Sequence, residues 1–267
     1  MLSENERVNV LYYSKAASDY ETTGRINEPG NKARIRRLLS SLIQDSNRRV
    51  LDVCCGAGLY LSILKELVKP GNLHGLDISP EMLKISGVHS SRVHLGSVYA
   101  IPFADSSFDL VTCSSALHHL DDLSRALAEI SRVLKPGGTF LSDYDNNVYF
   151  AKFDTWKRRL GKALLIYPIL AKMIGKAKRN GRSGTKGIID KSRSFEELPL
   201  EELHRIAEAQ NYHHDGVDGH RLVQMLRKAG FKEAKVFTYH SSRWNDGQGF
   251  NLFTSLSNNK IYSISRK

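Results

Sequence analysis

From about residue 48 to residue 144, short apolar runs alternate with helical patterns, and few folds accept such an order. RRVLDV, NLHGLDI, RVHLG, FDLVTCS and TFLSDY read as strands of a buried sheet, separated by LYLSILKELV, SPEMLKIS and DDLSRALAEISRVLK, which read as helices. This alternation predicts parallel β-α-β units with helices on both faces of one sheet. The punctuation agrees. Ser79-Pro80-Glu81 offers an N-cap with proline at the first helical position, and Lys135-Pro136-Gly137-Gly138 stops the last helix. Ahead of this core, Asn31–Gln44 predicts an amphipathic helix with a basic outer face.

The order breaks after Asp145. Residues 146–210 are helix-prone, without strand signals, and rich in lysine, arginine and glycine. Near Asp218 the pattern returns with the helix HRLVQMLRKAGF and the strand KEAKVFTYHS. A last strand, KIYSISRK, is expected to pair with it antiparallel, with QGFNLFTSL leading in. Three parts follow: N-terminal helices and the α/β core over 1–145, a basic helical insertion acting as a cap or lid over 146–217, and a closing helix and antiparallel strand pair completing the core over 218–267.

Within the 267 residues, 41% are apolar and 25% charged, which suits a packed core. Cys54 and Cys55 are adjacent and Cys113 ends an apolar run, so a reducing cytoplasm is the simplest setting. The first residues lack the pattern of a secretory leader. The longest apolar stretch, Ala163–Ile174, is broken by Pro168 and Lys172, which makes a spanning helix unexpected. The net charge of +11 is local: residues 151–193 hold thirteen Lys/Arg against Asp154 and Asp190. It need not describe the partner of the whole chain.

The first strand runs into the turn Cys54-Cys55-Gly56-Ala57-Gly58. Gly56 and Gly58 let backbone approach a ligand, and the following helix start offers unpaired N–H groups to it. Asp77 ends the second strand about 20 residues on, the usual distance for an acid that holds ribose hydroxyls. Two cofactor classes fit. The dinucleotide fingerprint wants a third glycine where Leu61 stands. An acid inside the first strand, Asp52, suits a ligand with an amino group to be held, directly or through water.

At this point the chain resembles the class I S-adenosylmethionine-dependent methyltransferases, whose first motif is acid-x-Gly-x-Gly-x-Gly. Asp52-Val53-Cys54-Cys55-Gly56-Ala57-Gly58 matches it, with Cys54 in place of the first glycine, where a side chain disfavours a left-handed backbone. GLDISPEML (Gly75–Leu83) and LGSVYAIPFADSSFDLV (Leu95–Val111) resemble the next motifs, and LHHL and RVLKPGGTFL are also similar. YSKAASDYE (Tyr13–Glu21) resembles the segment that closes over the cofactor in the ubiquinone and menaquinone methyltransferase branch. The resemblance covers about residues 12–145 closely and 218–240 loosely. It implies a Rossmann-like, doubly wound α/β fold of seven strands with the helical cap inserted after the fifth, and S-adenosyl-L-methionine as cofactor. It also implies Asp77 on the ribose, Ile78 beside the adenine, and Ser97 and Val98 at the adenine edge. Ser97 stands where the family carries an aspartate, so its contact to the adenine amino group would be weaker. Tyr20, Cys54, Cys55, Gly58 and Ser114 complete the expected cofactor site.

Methyl transfer from a sulfonium is an in-line displacement that needs positioning, exclusion of water and, for some acceptors, a base; no metal is required in principle. His118 and His119 are the candidate bases, against the plainer reading that the pair caps a helix or packs on the fifth strand. Asp143 and Asp145, placed after that strand, could orient an amine or hydroxyl, though Asp145-Asn146-Asn147 equally reads as a turn. Tyr12, Tyr13 and Tyr20 either line the entrance or pack within a helix. His213 and His214 are candidate substrate-lining residues, with Asp218 read as a helix N-cap. Cys113 reads as a buried thiol rather than a nucleophile. The expected substrate is a small or lipid-like molecule, with 151–193 resting peripherally on a membrane; RNA is the alternative, and a non-catalytic binding module a second one.

Overall fold

The structure, a computed structural model, describes residues 2–23, 29–87, 92–149, 194–203, 206, 216–239, 248–249 and 260–267. Strands β1 (Val50–Val53), β2 (Leu73–Asp77), β3 (Val93–Leu95), β4 (Phe108–Ser114) and β5 (Leu134–Asn146) run parallel. β6 (Glu233–Tyr239), β7 (Gln248–Gly249) and β8 (Lys260–Arg266) complete a single sheet in the order β3-β2-β1-β4-β5-β8-β6-β7. The seven expected strands are all present. β8 slots antiparallel between β5 and β6, and β7 adds a two-residue edge.

Period-two alternation sends strand side chains to two cores. On one face Leu51, Val53, Val111 and Phe140 pack against Leu123, Ala126, Leu127 and Ile130 of α5 (Leu123–Val133). Leu222 and Leu226 of α6 (Gly219–Lys228) join the same core. On the other face Val50, Leu73, Leu110 and Leu141 meet Ile35 and Leu39 of α2 (Pro29–Leu42), and Leu61 and Leu64 of α3 (Leu59–Leu64). Each of the branched or aromatic side chains among these, fully buried, contributes roughly 1.5–3 kcal/mol. α4 (Pro80–Ser86) starts as its sequence predicts, with Ser79 Oγ accepting from Met82 N. Asp218 caps α6, accepting from the N–H groups of His220 and Arg221.

The N-terminal helix α1 (Glu4–Thr23) opens with a capping box: Ser3 N donates to Glu6 Oε2 at 2.8 Å, and Glu6 N to Ser3 Oγ at 3.1 Å. Val8 packs with Leu198, Leu203 and Ile206, and Ala17 with Ala57 and Met82. α1 therefore lies across the glycine turn. No described helix is long and apolar enough to cross a membrane.

Two expectations change. β5 runs on to Asn146, because β8 pairs with it as far as Asn146↔Lys260, so Asp143 and Asp145 lie inside the strand rather than after it. α2 does not keep all its basic residues outside: Arg34 is 2% exposed and bonds Asp143 at 2.5 Å. Most of the expected insertion, 150–193 and 207–215, lies outside the described residues.

Candidate active site: the cleft at the carboxyl ends of β1 to β4

The carboxyl ends of β1, β2 and β4 open into a cleft roofed by α1. Its floor starts at the glycine turn, where the chain enters left-handed backbone at Cys54 (φ 53°), Gly56 (φ 52°) and Gly58 (φ 89°). Cys54 thus adopts the conformation that its side chain disfavours. At such a position the cost is about 1–2 kcal/mol. A Cβ added to Gly56 would meet nothing within 4 Å, so the backbone is bare on that side.

Asp77 ties the turn to the end of β2. Its Oδ2 accepts from Gly56 N at 2.7 Å and its Oδ1 from Ser79 N at 2.9 Å. Burial raises its pKa, against the backbone N–H groups, which favour the charge. A carboxylate has about four acceptor positions. Two are committed here, and the residue lines the cleft, so capacity remains for hydroxyl donors from a ligand.

Beneath the floor lies Asp52, 2% exposed, with Thr112 Oγ1 donating to it at 2.6 Å. Burial pushes its carboxyl up to about 7, the Thr112 bond opposing and the nearby Asp77 charge adding. Asp52 does not itself line the cleft. Nor do Cys55, buried behind the turn with its thiol pKa raised first by burial, or Gly58, which serves as the N-cap position of α3.

Cys54, Gly56, Asp77, Ile78, Ser97, Val98 and Ser114 are brought together as cleft walls. Ile78, Met82, Val98 and Leu120 give one stretch an apolar lining. Ser114 Oγ and Asn9 Oδ1 of α1 are shielded from solvent and have no hydrogen-bond partner among the described residues. Buried polar atoms are costly when unpaired. Two such atoms on residues lining one cleft fit a site that completes itself with a polar ligand. With the bare glycine turn and the Asp77 carboxylate, this donor and acceptor set fits a nucleoside with an amino-acid tail.

The two candidate histidines separate. His119 lines the cleft, with its Nε2 2.8 Å from the hydroxyl of Tyr13, which lines it too. His118 turns to the fifth strand: its Nδ1 lies 2.8 Å from Asp145 Oδ1, and its backbone N–H donates to the same oxygen at 3.3 Å. Both partners are buried, so the packing reading holds for His118. Asp143, expected to line the substrate side, is wholly buried instead. It accepts from Arg34, from Tyr60 at 2.5 Å and from Tyr239 at 3.1 Å. The cause is burial of an ion pair that α2 delivers from 109 residues away. Tyr12 packs with Val8, Leu198 and Leu203, away from the cleft. The side chain of Tyr20, and His213 and His214 altogether, lie outside the described residues.

The sequence reading named Tyr13 but missed the rest of the roof: Asn5, Glu6 and Asn9 of α1 line the cleft as well. Their signal was present: polar residues at 5, 9 and 13 repeat every four positions along a helix, one face of it.

The comparisons with known proteins agree with this geometry. Residues 51–142 match the family described as methyltransferase domain. The chain is 38% identical over 135 residues to a demethylmenaquinone methyltransferase of Lactiplantibacillus plantarum, covering 47% of this chain and 57% of that one. A protein of the same name from Staphylococcus haemolyticus is 25% identical over 243 residues, covering 89% and 90% of the two chains. Matches to the four first curated relatives span between 42% and 62% of those proteins' lengths. Among solved structures, an S-adenosylmethionine-dependent methyltransferase from Thermotoga maritima superposes with a TM-score of 0.55 at 19% identity, over 96% of this chain and 98% of that one. At that identity the likeness shows the fold alone.

Proposed function

We propose that the chain, whose residues 51–142 match a methyltransferase domain and which is similar to demethylmenaquinone methyltransferases, is a class I S-adenosylmethionine-dependent methyltransferase that transfers a methyl group to a small, lipophilic acceptor. The observation that carries the reading is convergence. A bare glycine turn, a cleft-facing carboxylate with spare acceptor capacity and a Tyr13–His119 pair border one cleft. S-adenosylmethionine, when bound, supplies an already activated methyl on a sulfonium. Asp77 then holds the ribose, and the turn lets its backbone approach. Asp52, buried below with no cation among the described residues, is drawn toward its charged form by the cationic end of the ligand, and the two attract.

His119 and Tyr13 supply the proton chemistry. Hydrogen-bonded to each other at the cleft wall, they can take a proton from an acceptor hydroxyl or an activated ring as the methyl arrives. The roof α1 excludes water from the same space. His118, held by Asp145 behind His119 with ring centroids 4.0 Å apart, is a positioning residue. The lipophilic acceptor is favoured by the menaquinone-directed names of the similar proteins and by the apolar walls. The charge of 151–193 gives an anionic membrane surface a place to present such a substrate.

The test is transfer of labelled methyl from S-adenosylmethionine to naphthoquinol acceptors, with lipid extract and bulk RNA in parallel. We expect labelled quinol or lipid. His119→Gln should lower kcat by roughly a hundredfold or more, the usual range for a lost general base, with little change in cofactor affinity. Label in RNA alone would overturn the acceptor assignment.

A further inference from the structure

At the adenine end of the proposed cofactor site the chain places a serine where a carboxylate would be expected. An exocyclic amine is a hydrogen-bond donor and needs an acceptor. The Ser97 hydroxyl is poorly suited to that role, because it already accepts from Tyr99 N at 3.1 Å and donates to Glu6 Oε1. The carboxylate it orients belongs to α1, and Glu6 lines the cleft beside Ser97, Val98 and Ile78. One turn along, the Nδ2 of Asn9 is committed to Asn5, donating to its backbone oxygen at 2.9 Å and its Oδ1 at 3.0 Å. That fixes the amide orientation and leaves Asn9 Oδ1, on a residue 8% exposed, without a partner among the described residues. Two acceptors on one helical face thus stand at the end of a slot with apolar walls.

We infer that Glu6, seconded by Asn9, reads the 6-amino group of the cofactor's adenine, so that the acceptor has moved from the loop after β3 to the N-terminal helix. The inference rests on the proposed cofactor. It has a consequence of its own: the roof helix becomes part of the cofactor site, so cofactor binding and α1 docking stabilise each other. The competing account confines Glu6 to its capping box with Ser3, and the two separate cleanly.

Binding of S-adenosylhomocysteine is compared by calorimetry with that of its analogue carrying hydrogen in place of the 6-amino group. The parent should prefer the amino compound by about tenfold to a hundredfold, the range for a charge-assisted hydrogen bond whose loss leaves a buried acceptor unpaired. Glu6→Ala should reduce that ratio to within about twofold. Adding Ser97→Asp to Glu6→Ala, which returns a carboxylate to the loop, should restore it. A purely capping Glu6 would weaken both ligands equally in Glu6→Ala and gain nothing from Ser97→Asp; that result overturns the inference and leaves the proposed function standing. A folded parent that binds neither compound overturns both.

Discussion

Two of the aspartates buried in this sheet, Asp52 and Asp143, are 91 positions apart and are treated in opposite ways. Asp143 is wholly enclosed and fully answered, with the Arg34 guanidinium at 2.5 Å and two tyrosine hydroxyls on its oxygens. Burial disfavours the charge on Arg34, yet Asp143 and the tyrosines beside it hold its pKa above the ordinary arginine value. Asp52, on the neighbouring half of the sheet, receives one threonine hydroxyl and no cation among the described residues, and its pKa rises to about 7. The first arrangement is closed and structural. The second leaves a carboxyl without a cation, among the described residues, under a cleft whose walls include left-handed Cys54 and Ser115. Strained backbone above an unanswered carboxyl fits a place that a ligand completes.

Removing one member of the closed cluster should have the largest effect. Asp143→Ala leaves Arg34 charged and buried, and should cost about 3–5 kcal/mol in urea unfolding. A loss below 1 kcal/mol would mean that water reaches the cluster.

Asp52→Asn should act in the reverse sense. A carboxyl whose folded pKa lies above its unfolded value binds more protons in the fold. The parent is therefore least affected below pH 4, loses stability as pH rises from about 4 to about 7, and is flat beyond. The asparagine variant lacks this decline and should be more stable at pH 8, by of order 2–4 kcal/mol, while binding S-adenosylmethionine more weakly. Equal or lower stability at pH 8 would remove the contrast between the two aspartates. Cys54→Gly relieves a disfavoured φ and should raise stability by about 1 kcal/mol, read as a shift in Tm; a loss would show that the cysteine side chain packs usefully.

Local patterns carried most of the fold. The apolar spacing of Leu123, Ala126, Leu127 and Ile130 defines α5 on its own, and alternating Leu110 and Val111 already point to opposite faces. Gly56 and Asp77 are legible for the same reason, since each is a residue type demanded by a turn or a strand end. Asp143 and Arg34 are not. Their partners come from α2, α3, β5 and β6, and nothing in any one segment marks the others. Glu6 reads as a capping residue, and only the packing of α1 over the turn turns it toward the cleft. Cys54 shows the converse: its type argued against left-handed backbone, and the surrounding turn overrides that preference.

Calorimetric binding of S-adenosylmethionine to the parent and to Asp77→Ala tests the central claim most directly. Micromolar binding by the parent, lost by about a hundredfold or more in the folded variant, is the predicted result, since the proposed ribose contacts and the tie to Gly56 go together. A folded parent that does not bind, or equal binding by both, would contradict the assignment of this cleft to the cofactor.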